Sequence, residues 1–120
     1  MKFSGYTVGL FMVVKTRVIA SLRGRKDKPA KKTILACVNE RCHPGTIKQG
    51  QDGDNSKCVV CKRALKSIFE VSAGKNERVT VSVQNMGDGL SLIYLTRHSL
   101  SINRKKRHKF LFHKGKLQLL

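Results

Sequence analysis

Acidic side chains are scarce in this chain. Seven Asp and Glu stand against 25 Lys and Arg in 120 residues, a formal charge of +18. The few carboxylates are scattered, so the hard oxygen ligands of a metal-dependent nuclease do not assemble. No carboxylate pair lies near a histidine, no nucleophile motif occurs, and the one GxG-like cluster is hairpin-turn material. An enzyme is therefore not expected. Long apolar runs are also missing: the longest, residues 8–14, is stopped by Lys15 and falls short of the ~18 residues that span a bilayer. A transmembrane protein is not expected, and without a small-residue cleavage site neither is a secretory signal. A mitochondrial presequence is the alternative for the basic first 36 residues. No internal repeat is present.

What the chain has in excess is positive charge. Uniform repulsion opposes compaction unless a polyanion screens it. Nucleic acid is the first candidate and an anionic membrane surface the second, because each neutralised phosphate releases condensed counterions. The charge is layered: residues 1–36 carry nine basic side chains and one acid, 37–96 eight and six, and 97–120 eight and none. A nearly neutral centre thus lies between two cationic ends. The length fits one compact domain with appendages: an amphipathic and basic N-terminal segment (1–32), a zinc-binding module with β-sheet (33–100) and a basic tail (101–120).

Leu10, Val13, Val14, Arg17, Val18 and Leu22 fall at three- and four-residue spacings, which predicts an amphipathic helix over 9–22. The β-branched residues there make a strand pair the alternative. Residues 23–32 read as a charged linker. Residues 33–36 and 65–71 read as strands, and Val79, Val81 and Val83 alternate with Thr80 and Ser82. Met86, Gly87, Asp88 and Gly89 form a turn, and residues 90–96 return as the second arm of a hairpin. In that arm Leu92 and Tyr94 share one face and Ile93 and Leu95 the other, so burial on both sides is expected. The tail alternates Phe110 and Phe112, and either adds a strand or stays mobile until bound. The fold class expected is α+β: a small zinc-ribbon-like four-cysteine module joined to an antiparallel hairpin or sheet, with an N-terminal helix or strand.

Cys37, Cys42, Cys58 and Cys61 give C-x4-C-x15-C-x2-C. Zinc needs about four soft ligands in a tetrahedron, and two close pairs joined by a loop supply them. The intervening segment, with Pro44, Gly45, Gly50, Gly53 and a polar run over 51–57, cannot form a core, so something else must hold its ends. His43, next to Cys42, is an alternative or supplementary ligand. Four unlinked thiols or a redox-formed disulfide would be the plain alternatives, and a reducing compartment favours metal. A closed four-thiolate site has no open position and is structural. It would present Arg41, Lys48, Lys57, Lys62 and Arg63 around the loop.

The residues expected to contact nucleic acid are Arg23, Arg25, Lys26, Lys28, Lys31, Lys32, Lys62, Arg63, Arg104, Lys105, Lys106, Arg107 and Lys109. Residues 104–109 also read as a nuclear-import cluster. Tyr94, Phe110 and Phe112 are candidates to stack on unpaired bases where exposed, with core packing the default for Tyr94. His98, His108 and His113 lack partners for a second metal site and read as solvated.

Three stretches carry a family resemblance: Ala36 and Cys37; residues 58–65 (CVVCKRAL); and residues 90–97 (LSLIYLTR). In this order, over roughly residues 33–102, they resemble the first-reading-frame proteins of sobemoviruses infecting grasses. That resemblance implies a four-cysteine zinc module at Cys37, Cys42, Cys58 and Cys61, suppression of host RNA silencing, and support of viral spread. The family's second metal site would need a cysteine after Cys61, which this chain lacks. The function expected is therefore a non-enzymatic, zinc-binding viral accessory protein. Its partners would be single-stranded or small RNA, bound with low sequence specificity, and host silencing factors, with no small-molecule substrate. Its place would be the host cytoplasm or nucleus. The alternatives are a structural component of a ribonucleoprotein, such as an organellar ribosomal protein, and a host-protein interaction module.

Overall fold

The computed structural model describes residues 16–25, 30–42, 45–51, 53–87 and 89–120. They form eight strands: β1 (Thr16–Arg23), β2 (Ala30–Ala36), β3 (Ile47–Gly50), β4 (Lys66–Ala73), β5 (Glu77–Gly87), β6 (Leu90–Ser99), β7 (Arg104–His113) and β8 (Lys116–Leu119). Two antiparallel sheets result, one of five strands in the order β1-β5-β6-β7-β8 and one of three in the order β3-β2-β4.

The expected α+β class is thus corrected to all-β: no described residue is helical. No helix among them is long and apolar enough to cross a membrane, which says nothing of a β-barrel. The helix expected over 9–22 lies outside the described residues up to position 15, and its second half is strand β1. One local feature hides this strand from the helical reading. Ala20 and Leu22 are buried while Ser21 and Arg23 are exposed, a period of two. A register shift between Val18 and Ala20, however, inserts an extra residue and breaks the alternation upstream. On either side of that bulge the strand pairs with β5, where Arg17, Ala20 and Leu22 lie opposite Val83, Val81 and Val79, and pairing settles the choice.

The main core lies between the sheets. Val79, Val81 and Val83 of β5 and Ile93 and Leu95 of β6 turn one face inward, against Ile34 and Ala36 of β2, Ile47 of β3 and Val71 and Ala73 of β4. Each of these larger apolar side chains contributes about 1.5–3 kcal/mol by leaving water. Phe69 and Phe110 stack across the sheets with centroids 5.5 Å apart. At one end the Arg97 guanidinium donates to the Ser72 carbonyl and to Glu77 Oε1, both at 2.9 Å, tying the two sheets together.

The hairpin expected around residues 86–89 is β5 and β6, with Gly87 and Gly89 at φ +89° and +73°, conformations that L side chains rarely adopt. Burial on both faces of β6 does not occur. Ser91, Ile93 and Leu95 are buried, but Leu92 and Tyr94 are only half-buried on the outer face. The tail supplies two strands: β7 pairs with β6 from Leu90 opposite His113 to Ser99 opposite Arg104, and β8 closes the edge. Of its two Phe, Phe112 is buried and Phe110 packs against the core, so neither is free to stack on a base. The charged linker expected over 23–32 is shorter, since Arg23 ends β1 and Ala30, Lys31 and Lys32 begin β2.

Candidate metal centre

Strand β2 is central in its sheet, and its second half, residues 33–36, is buried on both faces. Ile34 and Ala36 point to the main core, whereas Leu35 and Cys37 join a second, smaller cluster with Cys42, Cys58, Leu65 and Cys61. That cluster is the candidate metal centre. The four Sγ atoms lie within 4.8 Å of one another. Cys37 and Cys61 are 3.6 Å apart, as are Cys42 and Cys58. Disulfide sulfurs sit at about 2.05 Å, so none is formed, and all four are free thiols. Arms of about 2.3 Å to a central ion give a tetrahedron with edges of about 3.8 Å. Each 3.6 Å pair is therefore one edge of a zinc-sized tetrahedron, and the donor set of four soft sulfurs fits zinc.

The backbone explains how two distant pairs meet. Cys37 ends β2, and its N–H donates to the Thr46 carbonyl at 2.9 Å where the chain returns into β3. The looser C-x4-C half is shaped by Asn39, whose carbonyl accepts from Cys42 N–H at 3.0 Å and whose side chain accepts from Arg41 N–H at 3.2 Å. The C-x2-C half is a knuckle: Lys62 N–H donates to the Cys58 carbonyl at 2.9 Å and Cys58 N–H to the Arg63 carbonyl at 2.8 Å. Closing it puts Lys62 at φ +66°. Gly45 passes so close that a Cβ there would come within 2.7 Å of the Cys37 Cβ. Between the two halves, Asp54 organises the polar loop by accepting from Ser56 and from Gln51 N–H, which holds its carboxyl below the usual range.

The thiols are electrostatically unequal. Burial pushes Cys42 up to about 12 and raises Cys37 as well. Burial also acts on Cys58, but hydrogen bonds from the backbone of Cys61, Thr46 and Val60 outweigh it and bring the thiol down to about 5. Cys61 is lowered chiefly by the backbone N–H of Arg63. The knuckle is thus ready to supply thiolates, whereas near neutral pH the first pair keeps its protons until a cation displaces them. Thr46 is a supporting residue that spacing did not reveal. Its hydroxyl accepts from Val59 N–H at 3.0 Å and lies 3.7 Å from Cys58 Sγ, joining β3 to the knuckle.

The residues expected to bind nucleic acid are not gathered in one place. Lys26 and Lys28 lie outside the described residues, as does His43. Arg23 and Arg25 are exposed at the end of β1. Lys31 and Lys32 lie on β2, where Lys31 pairs with Glu70 at 3.4 Å. Lys62 and Arg63 sit on the knuckle, the Lys62 ammonium donating to the Val59 carbonyl at 3.2 Å. Arg104, Lys105, Lys106, Arg107 and Lys109 are all exposed on β7, where successive side chains take opposite faces. His98 shares a 3.0 Å hydrogen bond with Asn103 Oδ1, and among the described residues no histidine belongs to the metal cluster. Comparison of the chain with protein families, curated proteins and solved structures returned no match.

Proposed function

We propose that this chain is a non-enzymatic, zinc-stabilised accessory protein of a plant virus that binds RNA and withholds it from the host's silencing machinery, so supporting viral spread. The observation that carries this reading is a closed, buried set of four thiols in a protein of formal charge +18. Four sulfurs leave zinc no open position for substrate, so the ion's work is to hold the coreless loop against β2. The surplus cations supply affinity for a phosphate backbone. The resemblance to sobemovirus first-reading-frame proteins supports the viral role, with host cytoplasm or nucleus as its place.

The test combines elemental analysis with a salt series. The purified protein is expected to carry about one zinc per chain, and Cys58→Ser to lose it. Affinity for an RNA oligonucleotide should fall steeply with salt, with a slope of about −0.7 per phosphate neutralised. Full zinc content in the variant overturns the ligand set, and a flat salt response overturns the electrostatic mechanism.

One observation favours a second reading, docking of a host protein. Val59 and Val60 at the tip of the knuckle are 72% and 53% exposed. Silencing suppression that survives loss of RNA binding but not Val59→Ser would select it.

A further inference from the structure

The outer face of the five-stranded sheet carries a charge pattern that the fold does not need. Register places Arg23, Arg78, His98 and Lys105 side by side across β1, β5, β6 and β7. The next row is Ser21, Thr80, Thr96 and Arg107, and the one after it sets Tyr94 between Ser82 and Lys109. Like charges directly opposite on neighbouring strands are destabilising. A row of three guanidinium and ammonium groups with a histidine among them, about 14 Å long at the usual strand spacing, therefore does not serve folding.

No Asp or Glu of the described residues relieves it. Glu77 lies on the inner face, paired with Arg97 at 2.9 Å; Glu70 belongs to β4, and Glu40 and Asp54 to the loops of the cysteine module. The contrast within β7 is sharp. Arg104 and Lys106 turn to the inner side, where they line a cleft with Glu77 and Arg97, whereas Lys105, Arg107 and Lys109 face outward with no carboxylate partner among the described residues. The outer face also holds an aromatic ring. Tyr94 is half-buried, its hydroxyl donates to Gln84 at 3.0 Å, and the Lys109 ammonium rests 5.8 Å from its centroid.

Resting on the RNA-binding reading above, we infer that this outer sheet face is a platform for single-stranded RNA, with Arg23, Arg78, Lys105 and Arg107 on the phosphates and Tyr94 under a base. A strand whose bases are unpaired offers phosphates to the cationic rows and a π-face to the ring at the same time; a duplex keeps its bases stacked inside. Lys109 bridges the two contacts, since a phosphate can draw its ammonium away from the ring that a base then covers. Arg78 and His98 join the interface although they lie outside the basic runs, and Arg104 and Lys106 leave it although they lie within one.

The test uses charge-matched pairs in the full chain, each removing two of the same kind of charge. Lys105→Gln with Arg107→Gln is expected to weaken binding of an unstructured oligouridylate by about tenfold or more and to flatten its salt slope by about 1.4. Arg104→Gln with Lys106→Gln is expected to change affinity less than about threefold. Tyr94→Leu should lower affinity for the RNA with the salt slope unchanged and leave binding of linear polyphosphate intact, while Tyr94→Phe behaves as the parent. Equal losses from the two charge pairs overturn the platform but leave the RNA-binding reading standing. A parent protein that does not bind the oligouridylate at all takes down that reading itself. Equal affinity for a duplex of the same length, or stronger binding to phosphatidylserine vesicles, also overturns the platform.

Discussion

Zinc loading should release a characteristic number of protons. At pH 7 Cys42, pushed up to about 12 by burial, and Cys37, raised by burial, both hold theirs. Cys58 is a thiolate already, because backbone hydrogen bonds outweigh burial and bring it to about 5, and Cys61 is lowered by the Arg63 N–H. Metal takes only thiolates, so binding to the folded apo-protein displaces about two to three protons per ion. Calorimetry in buffers of different ionisation enthalpy counts them. Four unstructured thiols near the ordinary value of about 8.5 would instead release nearly four. A count near four therefore refutes the preformed, unequal centre. The sign with pH follows. Raising pH removes the protons of Cys37 and Cys42 and strengthens zinc binding, and acidification weakens it, most steeply once Cys58 is titrated below about 5. In the metal-free chain the depressed Cys58 thiol stabilises the fold above the ordinary thiol range, and that contribution is lost as pH falls through about 5.

Two stability measurements test the packing by urea unfolding. Ile93 is wholly buried at the centre of the larger sheet, so Ile93→Ala should cost about 2–5 kcal/mol, and a loss under about 1 kcal/mol would contradict its place in the core. Glu77→Ala removes an acceptor shared by Arg97 and the Gly74 N–H, both at 2.9 Å, and should cost about 1–3 kcal/mol. Glu70→Ala, which breaks the exposed pair with Lys31, should stay within about 0.5 kcal/mol; equal losses from the two would refute the ranking by burial.

Much of the sheet is legible in the residues themselves. The alternation of Val79, Val81 and Val83, the turn at Gly87 and Gly89, and the return through Ile93 and Leu95 are local patterns, and each becomes the element it suggests. The cysteine spacing is equally local, and it brings the four sulfurs together. Strand β1 is misread because a bulge at Ile19 erases its period of two, and because the valines that claim it lie some sixty residues away. Thr46 escapes notice for a similar reason: only the return of β3 beside the knuckle gives its hydroxyl partners in Val59 and Cys58.

Residue order alone determined the positive charge, the thiol pairs and the hairpin, because charge is additive and short-range patterns set local backbone choices. Tertiary structure decided which cations share a surface. Arg23, Arg78, His98 and Lys105 are dispersed along the chain and meet only through strand register. Arg104 and Lys105 are adjacent, yet the pleat sends them to opposite sides, since side chains of a strand alternate about its plane.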